Sequence, residues 1–269
     1  MLDYRVRSSL HSNFCGFFQS ALNDERDFCF QSKIIHLKMM KRSNSLDFKP
    51  TIEPLEGVKQ MVFDFDGTIA DTLDTVVAII NNLAPEFGYR AASPTDVAKY
   101  RDLNSKELME VSQIPLWQIP FLLRRVKKEL NQQISVLQPI PGIRDVLEEL
   151  KAQGLSLGIL TSNSQDNVSD FLQKNQMGSL FDFVYSGTHL FGKDKVLRKI
   201  LQQQALAPEQ LMYVGDETRD VDAAKKVGVK AIAVSWGFNS SAALVARNPD
   251  VAIDYPRQLM EVVGMQVAS

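Results

Sequence analysis

The chain has 269 residues, enough for one large domain or for a domain with a small insert. Its 45% apolar and 23% charged residues are those of an ordinary globular enzyme, and a net charge of −2 gives no reason to expect nucleic acid or an acidic membrane surface as partner. No apolar run approaches the roughly 20 residues of a membrane-spanning helix, so a soluble, cytoplasmic protein is expected.

Residues 1–50 stand apart. They mix Ser, Asn, Arg and Phe without sustained periodicity and end in the polar stretch 41–50. Among the first 22 residues Asp3 is the single acid, beside Arg5 and Arg7, as an organellar transit peptide would have it; Asp24, Glu25 and Asp27 speak against that reading. The segment is expected to be a disordered extension, or a reading frame running upstream of a true start at Met39 or Met40, and it is assigned no function. Cys15 and Cys29 both fall here. With His11 and His36 they match no standard zinc spacing, so two incidental thiols in a reducing compartment are expected.

From about Val58 strands and helices alternate. A strand at 58–64 ends in carboxylates, and a helix follows with Leu73, Val76, Ile80, Leu83 and Phe87 on one face. Pro85 is expected to kink or end that helix. Helices at 105–113 and 118–134 come next, the second turning Ile119, Leu122, Val126, Leu130 and Ile134 inward. Pro139, Pro141 and Gly142 close this all-helical passage. Then follow a helix at 142–153, a strand at 155–160, a helix from about 165, a strand at 183–186 and a helix at 194–204. A strand at 211–215, a helix at 219–227 and a strand at 229–234 complete the series. Such alternation predicts an α/β fold: a Rossmann-like parallel sheet with helices on both faces. The helices of 71–138 interrupt it directly after the first strand and read as an inserted α-helical cap, leaving 51–70 and 139–269 as the core domain.

Four short stretches carry chemistry. In Met61-Val-Phe-Asp64-Phe-Asp66-Gly67-Thr68 the two aspartates are two residues apart, so a strand delivers both to one side, at the carboxyl end where open α/β sheets place ligands. One can attack while the other moves protons. Thr161 and Ser162 put hydroxyls at the end of the 155–160 strand, ahead of Asn163; alone, such a hydroxyl is more often a helix cap. In Gly192-Lys193-Asp194-Lys195 a lysine at a helix start can neutralise both an attacking carboxylate and a phosphate. Lys193 is preferred and Lys195 stays open. Asp216, Glu217 and Asp220 follow the apolar strand 211–215, where carboxylates suit a hard Mg²⁺ ion or, for Asp220, a helix N-cap.

Taken together and in this order, these stretches resemble the haloacid dehalogenase superfamily over roughly residues 58–255, down to the Asp-x-Asp-Gly-Thr string and the Gly-Asp-x-x-x-Asp string. The resemblance implies a Mg²⁺-dependent phosphatase working through an aspartyl-phosphate. Asp64 would be the nucleophile and Asp66 the acid, then the base. Thr161, with Ser162 as alternative, would donate to the phosphoryl group, and Lys193 would hold nucleophile and phosphate together. Asp64, the Asp66 carbonyl and Asp216 would bind the metal, and Asp220, less readily Glu217, would hold a metal-bound water or Lys193. Gly67, Thr68, Ser162 and Asn163 are grouped with the substrate. Arg101 and Lys106, in the segment after the first cap helix, would bind a second anionic group such as a carboxylate. Arg124, Arg125, Lys127 and Lys128 read as the wet face of a helix. Asp66 argues against dehalogenase and phosphonatase chemistry. Ala233-Val-Ser-Trp236-Gly237-Phe238 adds a likeness to phosphoglycolate-phosphatase-like proteins, so a small phosphorylated metabolite is the expected substrate. A sugar phosphomutase, or a non-catalytic binder of phosphorylated metabolites, is the alternative.

Overall fold

The computed structural model describes residues 53–134, 136–186 and 192–264; the expectations for 1–50, the two cysteines among them, lie outside these residues. Six strands, β1 (Gln60–Phe63), β2 (Ser156–Leu160), β3 (Phe183–Tyr185), β4 (Leu211–Gly215), β5 (Lys230–Val234) and β6 (Val251–Ile253), form one sheet in the order β3-β2-β1-β4-β5-β6. All five pairings are parallel. Parallel strands are covered on both faces and so read as continuous apolar runs; β1, buried throughout, shows why Met-Val-Phe had to be a central strand.

Alternation along the strands sorts the side chains into two layers. Met61 and Phe63, with Leu157, Ile159, Met212 and Val214, pack on α5 (Ile143–Ala152), α6 (Gln165–Lys174) and α10 (Gln258–Val262). Val62, Leu160 and Tyr213 face the other way, toward α7 (Lys193–Gln203), α8 (Thr218–Val227) and α9 (Ser241–Val245). Between β1 and α5 run α1 (Leu73–Phe87), α2 (Pro94–Tyr100), α3 (Ser105–Val111) and α4 (Ile119–Gln133). Ile79 and Leu83 of α1 and Leu122, Val126 and Leu130 of α4 are buried within the first layer. The chain leaves for these helices and returns from them side by side: Ile140 donates to the Ile69 carbonyl at 2.8 Å and Asp71 to that of Gln138 at 2.9 Å.

The structure differs from the sequence reading at two local points. Pro85 does not end α1, which runs on to Phe87; its position in the last turn leaves little helix to disturb, and Gly88, in the left-handed region (φ 74°), provides the stop. The helix α2 was not anticipated, although its start signal is complete: Ser93 caps, Pro94 is the first helical residue, and Asp96 closes a capping box. Ser93 holds Asp96 by hydroxyl and amide, which brings that carboxyl down to about 2.

Candidate active site

The register places Phe63 of β1 level with Ile159 of β2 and Val214 of β4, so the residues that follow these strands emerge together at the switch point of the sheet order. Asp64 is buried, and its Oδ1 accepts the Phe65 amide at 2.7 Å. Its Oδ2 lies 2.6 Å from Lys193 Nζ, which is also 2.6 Å from Asp220 Oδ1. Lys193 opens α7 and points inward, whereas Lys195 is exposed. Burial works against the Lys193 ammonium, but Asp220 and Asp64 more than offset it and hold its pKa above the ordinary lysine value. Asp220 also accepts the Tyr213 hydroxyl at 3.2 Å and the Glu217 amide at 3.1 Å.

Asp216, fully buried, accepts Thr68 Oγ1 at 2.6 Å and the Phe238 amide at 2.7 Å. Glycines make room for it. A Cβ on Gly237 would stand 2.1 Å from Asp216 Oδ2, and one on Gly67, at φ 76°, would stand 2.4 Å from the same atom. Burial, then the charges of Glu217, Asp64 and Asp220, push the Asp216 pKa well above the usual carboxylate range; burial likewise takes Asp64 up to about 7 against the pull of Lys193. Oxygens of Asp64, Asp216 and Asp220 lie within 4.8 Å of one another. Three buried carboxylates this close together, those of Asp64 and Asp216 with raised pKa values, offer the hard oxygen ligands that suit a divalent cation such as Mg²⁺. Asp66 contributes no carboxylate oxygen to this group.

Asp66 meets a different partner. Asn163 Nδ2 donates to both its oxygens, at 3.2 and 3.0 Å. Burial raises the Asp66 pKa to about 6, and the Asn163 amide, which favours the ionised form, opposes the rise. Thr161 is buried at the end of β2, where its Oγ1 accepts the Asn163 amide at 3.0 Å. The Ser162 carbonyl accepts Lys127 Nζ at 2.6 Å.

Several substrate contacts expected from the sequence have other partners. The Thr68 hydroxyl serves Asp216, Gly67 packs against the same carboxylate, and Asn163 holds Asp66. Arg101 reaches the carbonyls of Phe238, Ser235 and Gly237 at 3.3, 3.2 and 2.9 Å, so its guanidinium ties the α2–α3 segment to the loop after β5. Lys106 is exposed, 4.0 Å from Glu110, and lines a polar cleft of about 400 Å³ with Lys193, Arg219, Lys226 and Arg247. Lys127 is not simply wet, and Arg125 bridges Glu86 and Glu129. Sequence reading passed over Tyr213, which looked like core, and Asn239, which accepts the Thr218 amide while donating to the Arg101 and Leu103 carbonyls. Neither carried a local signal: Tyr213 sits in an apolar strand, and Asn239 acts on residues far away in the chain.

The profile of the haloacid dehalogenase-like hydrolases matches residues 61–234. The phosphoglycolate phosphatase of Synechococcus elongatus is 42% identical over 206 residues, covering 77% of this chain and 97% of that protein. A solved Haemophilus somnus structure assigned as a phosphoglycolate phosphatase superposes with a TM-score of 0.63 at 20% identity, over 77% of this chain and 98% of that one. A Thermotoga maritima structure assigned as a β-phosphoglucomutase gives 0.56 at 22%, over 77% and 99%. The two structures speak for the fold alone. With two carboxylates, a buried lysine and an acidic trio gathered at the strand ends that the family profile spans, the chain belongs to the haloacid dehalogenase-like hydrolases, as one of their phosphatases.

Proposed function

We propose that this phosphatase hydrolyses a small phosphate monoester with Mg²⁺, and that phosphoglycolate is the first substrate to try. The observation that carries the reading is the buried Asp64–Lys193–Asp220 arrangement beside the half-buried Asp66. Asp64 Oδ attacks phosphorus, and the bond to the ester oxygen breaks as Asp66 gives that oxygen its proton. Asp66, now ionised, takes a proton from the water that hydrolyses the aspartyl-phosphate. Lys193 offsets the negative charge that nucleophile and phosphoryl group bring together. Thr161 would donate to the phosphoryl oxygens. Mg²⁺, held by Asp64, Asp216 and the Asp66 carbonyl with Asp220 behind, would supply the remaining charge compensation.

The substrate follows from the 42% identical Synechococcus relative, which spans nearly its whole length. No helix among the described residues is long and apolar enough to cross a membrane, and a cytoplasmic enzyme of a small metabolite, without nucleic-acid or membrane partners, is the proposal that goes with it. The test is phosphate release with Mg²⁺ from phosphoglycolate, sugar phosphates, nucleotides and an aryl phosphate. Asp64→Asn is expected to abolish release and Asp66→Asn to reduce it by about 10²–10⁴-fold on the alkyl esters, whose leaving oxygens need a proton. Full activity in either variant overturns the mechanism; a sugar phosphate isomerised without release of phosphate would point to a mutase.

A further inference from the structure

We propose that Asn163, Asn167 and Asn131 form a directed chain of amides that orients the Asp66 carboxylate, and that its first link belongs to the helical insert rather than to the sheet domain. The inference rests on the reading of Asp66 as the proton-transfer group. Asn163 Oδ1 accepts two donors, the Ser164 amide at 2.8 Å and Asn167 Nδ2 at 2.9 Å. With its oxygen so engaged, the Asn163 amide has one polarity left for Asp66, and it presents Nδ2 to both carboxylate oxygens. Asn167 is turned in the same way: its Oδ1 accepts Asn131 Nδ2, which leaves its own Nδ2 to donate onward. Each amide is thus set by the one behind it.

Asn163 and Asn167 are both buried, and burial of unpaired amides is costly, so the chain has to be complete to be tolerated. Amides also suit the task chemically. A carboxylate that must be protonated in one half-reaction and ionised in the next cannot be held by a cation, which would lock it ionised. A neutral donor can fix its plane and leave the remaining lone pairs to carry the proton. Asn131 lies on α4, one turn beyond Lys127, whose Nζ donates to the Ser162 carbonyl at 2.6 Å. Residues four apart share a helix face, so one face of α4 seats on the 162–167 segment and supplies the chain's starting donor. The consequence is that Asp66 is aligned when α4 is seated, and leaving-group protonation is coupled to the position of the insert. Asn163, Asn167 and Asn131 are then positioning residues.

The experiment measures kcat/KM for substituted phenyl phosphates of rising leaving-group pKa, which isolates the step in which the ester oxygen needs its proton. Asp66→Asn is expected to steepen the dependence, with about 10²–10⁴-fold loss on the poorest leaving group and far less on p-nitrophenyl phosphate. Asn163→Ala and Asn167→Ala should steepen it in the same sense, by roughly tenfold or more between the two ends of the series. Asn131→Asp, which keeps the shape and loses the donor, should do so by a smaller factor, as should Asn131→Ala. The p-nitrophenyl rate in each variant reports that the protein is folded. Equal loss on all esters in the asparagine variants, with Asp66→Asn still steepening the series, overturns the chain as a positioning device. An Asn131 variant with the wild-type slope overturns the role of the insert. A series left unchanged by Asp66→Asn overturns the assignment of Asp66 itself.

Discussion

Lys193 shows how one side chain becomes indispensable through what surrounds it. It is buried between two carboxylates 2.6 Å away on either side, with the Tyr213 ring 5.5 Å from its ammonium. Removing the lysine leaves the buried carboxylates of Asp64 and Asp220 facing each other without their shared cation, and breaking a buried pair in this way costs about 3–5 kcal/mol. Lys193→Ala is therefore expected to lower the melting temperature and to abolish turnover, while exposed Lys195→Ala leaves both near wild type. A Lys195→Ala variant that loses activity while Lys193→Ala retains it would reverse the assignment. The sequence favoured Lys193 but left Lys195 open, since both stand at the start of one helix. A helix brings round to one face only residues three or four apart, so two lysines two apart cannot both enter the site, but which one does depends on how α7 packs.

Arg101 makes the corresponding point for elements. It was expected to read a second anion on the substrate, because it follows the first insert helix and carries a charge. Its guanidinium instead bonds three carbonyls of the 235–238 loop, and the Ser240 amide returns a bond to the Arg101 carbonyl at 2.8 Å. The same loop provides the Phe238 amide that holds Asp216. Arg101→Ala is expected to cost about 1–3 kcal/mol, since it strands carbonyls that a charged donor had satisfied. Its effect on kcat/KM should be the same for esters with and without a second anionic group. A loss confined to phosphoglycolate, with simple aryl phosphates unaffected, would restore Arg101 to the substrate. Local patterns carried most of the elements: an apolar run, then a turn, then a carboxylate marks a strand end without further information, and β1 and β4 were legible for that reason. The contacts between insert and core were not. Arg101 and Gly237 are 136 residues apart, Asn163 and Asp66 97, and Trp236 reaches the Thr68 carbonyl across 168. Pairings at such separations leave no periodicity to read, which is why the bonds of Thr68 to Asp216 and of Asn163 to Asp66 were not foreseen.

The molecule as a whole concentrates like charge at one point and must bear the consequence. Asp64, Asp216 and Asp220 bring oxygens within 4.8 Å of one another in a buried site, with Glu217 alongside, while the chain's net charge is only −2. For Asp216 burial is the largest influence, the charges of Glu217, Asp64 and Asp220 add to it, and together they hold its folded pKa well above the unfolded value near 4. The sign of the linkage follows. A carboxyl with a raised folded pKa binds its proton more tightly in the native state, so its contribution to stability is best below the unfolded pKa and is lost as pH rises toward the folded one. In the metal-free protein Asp216, and Asp64 with it, should therefore destabilise the fold progressively from about pH 4 upward. A divalent cation replaces the missing protons and reverses the effect. At a concentration a hundredfold above its dissociation constant Mg²⁺ adds about 2.7 kcal/mol, which for a protein of this size amounts to several degrees in melting temperature, at roughly 2–4 °C per kcal/mol. Because protons compete for the same oxygens, the Mg²⁺-induced shift should be larger at pH 8 than at pH 5.5, and Asp216→Asn should remove most of it. The measurement is thermal unfolding of EDTA-treated protein with and without Mg²⁺ at the two pH values, and it needs no substrate. A shift of the same size at both pH values, or one that survives in Asp216→Asn, would mean that the ion binds elsewhere and that the acidic trio is held together by Lys193 alone.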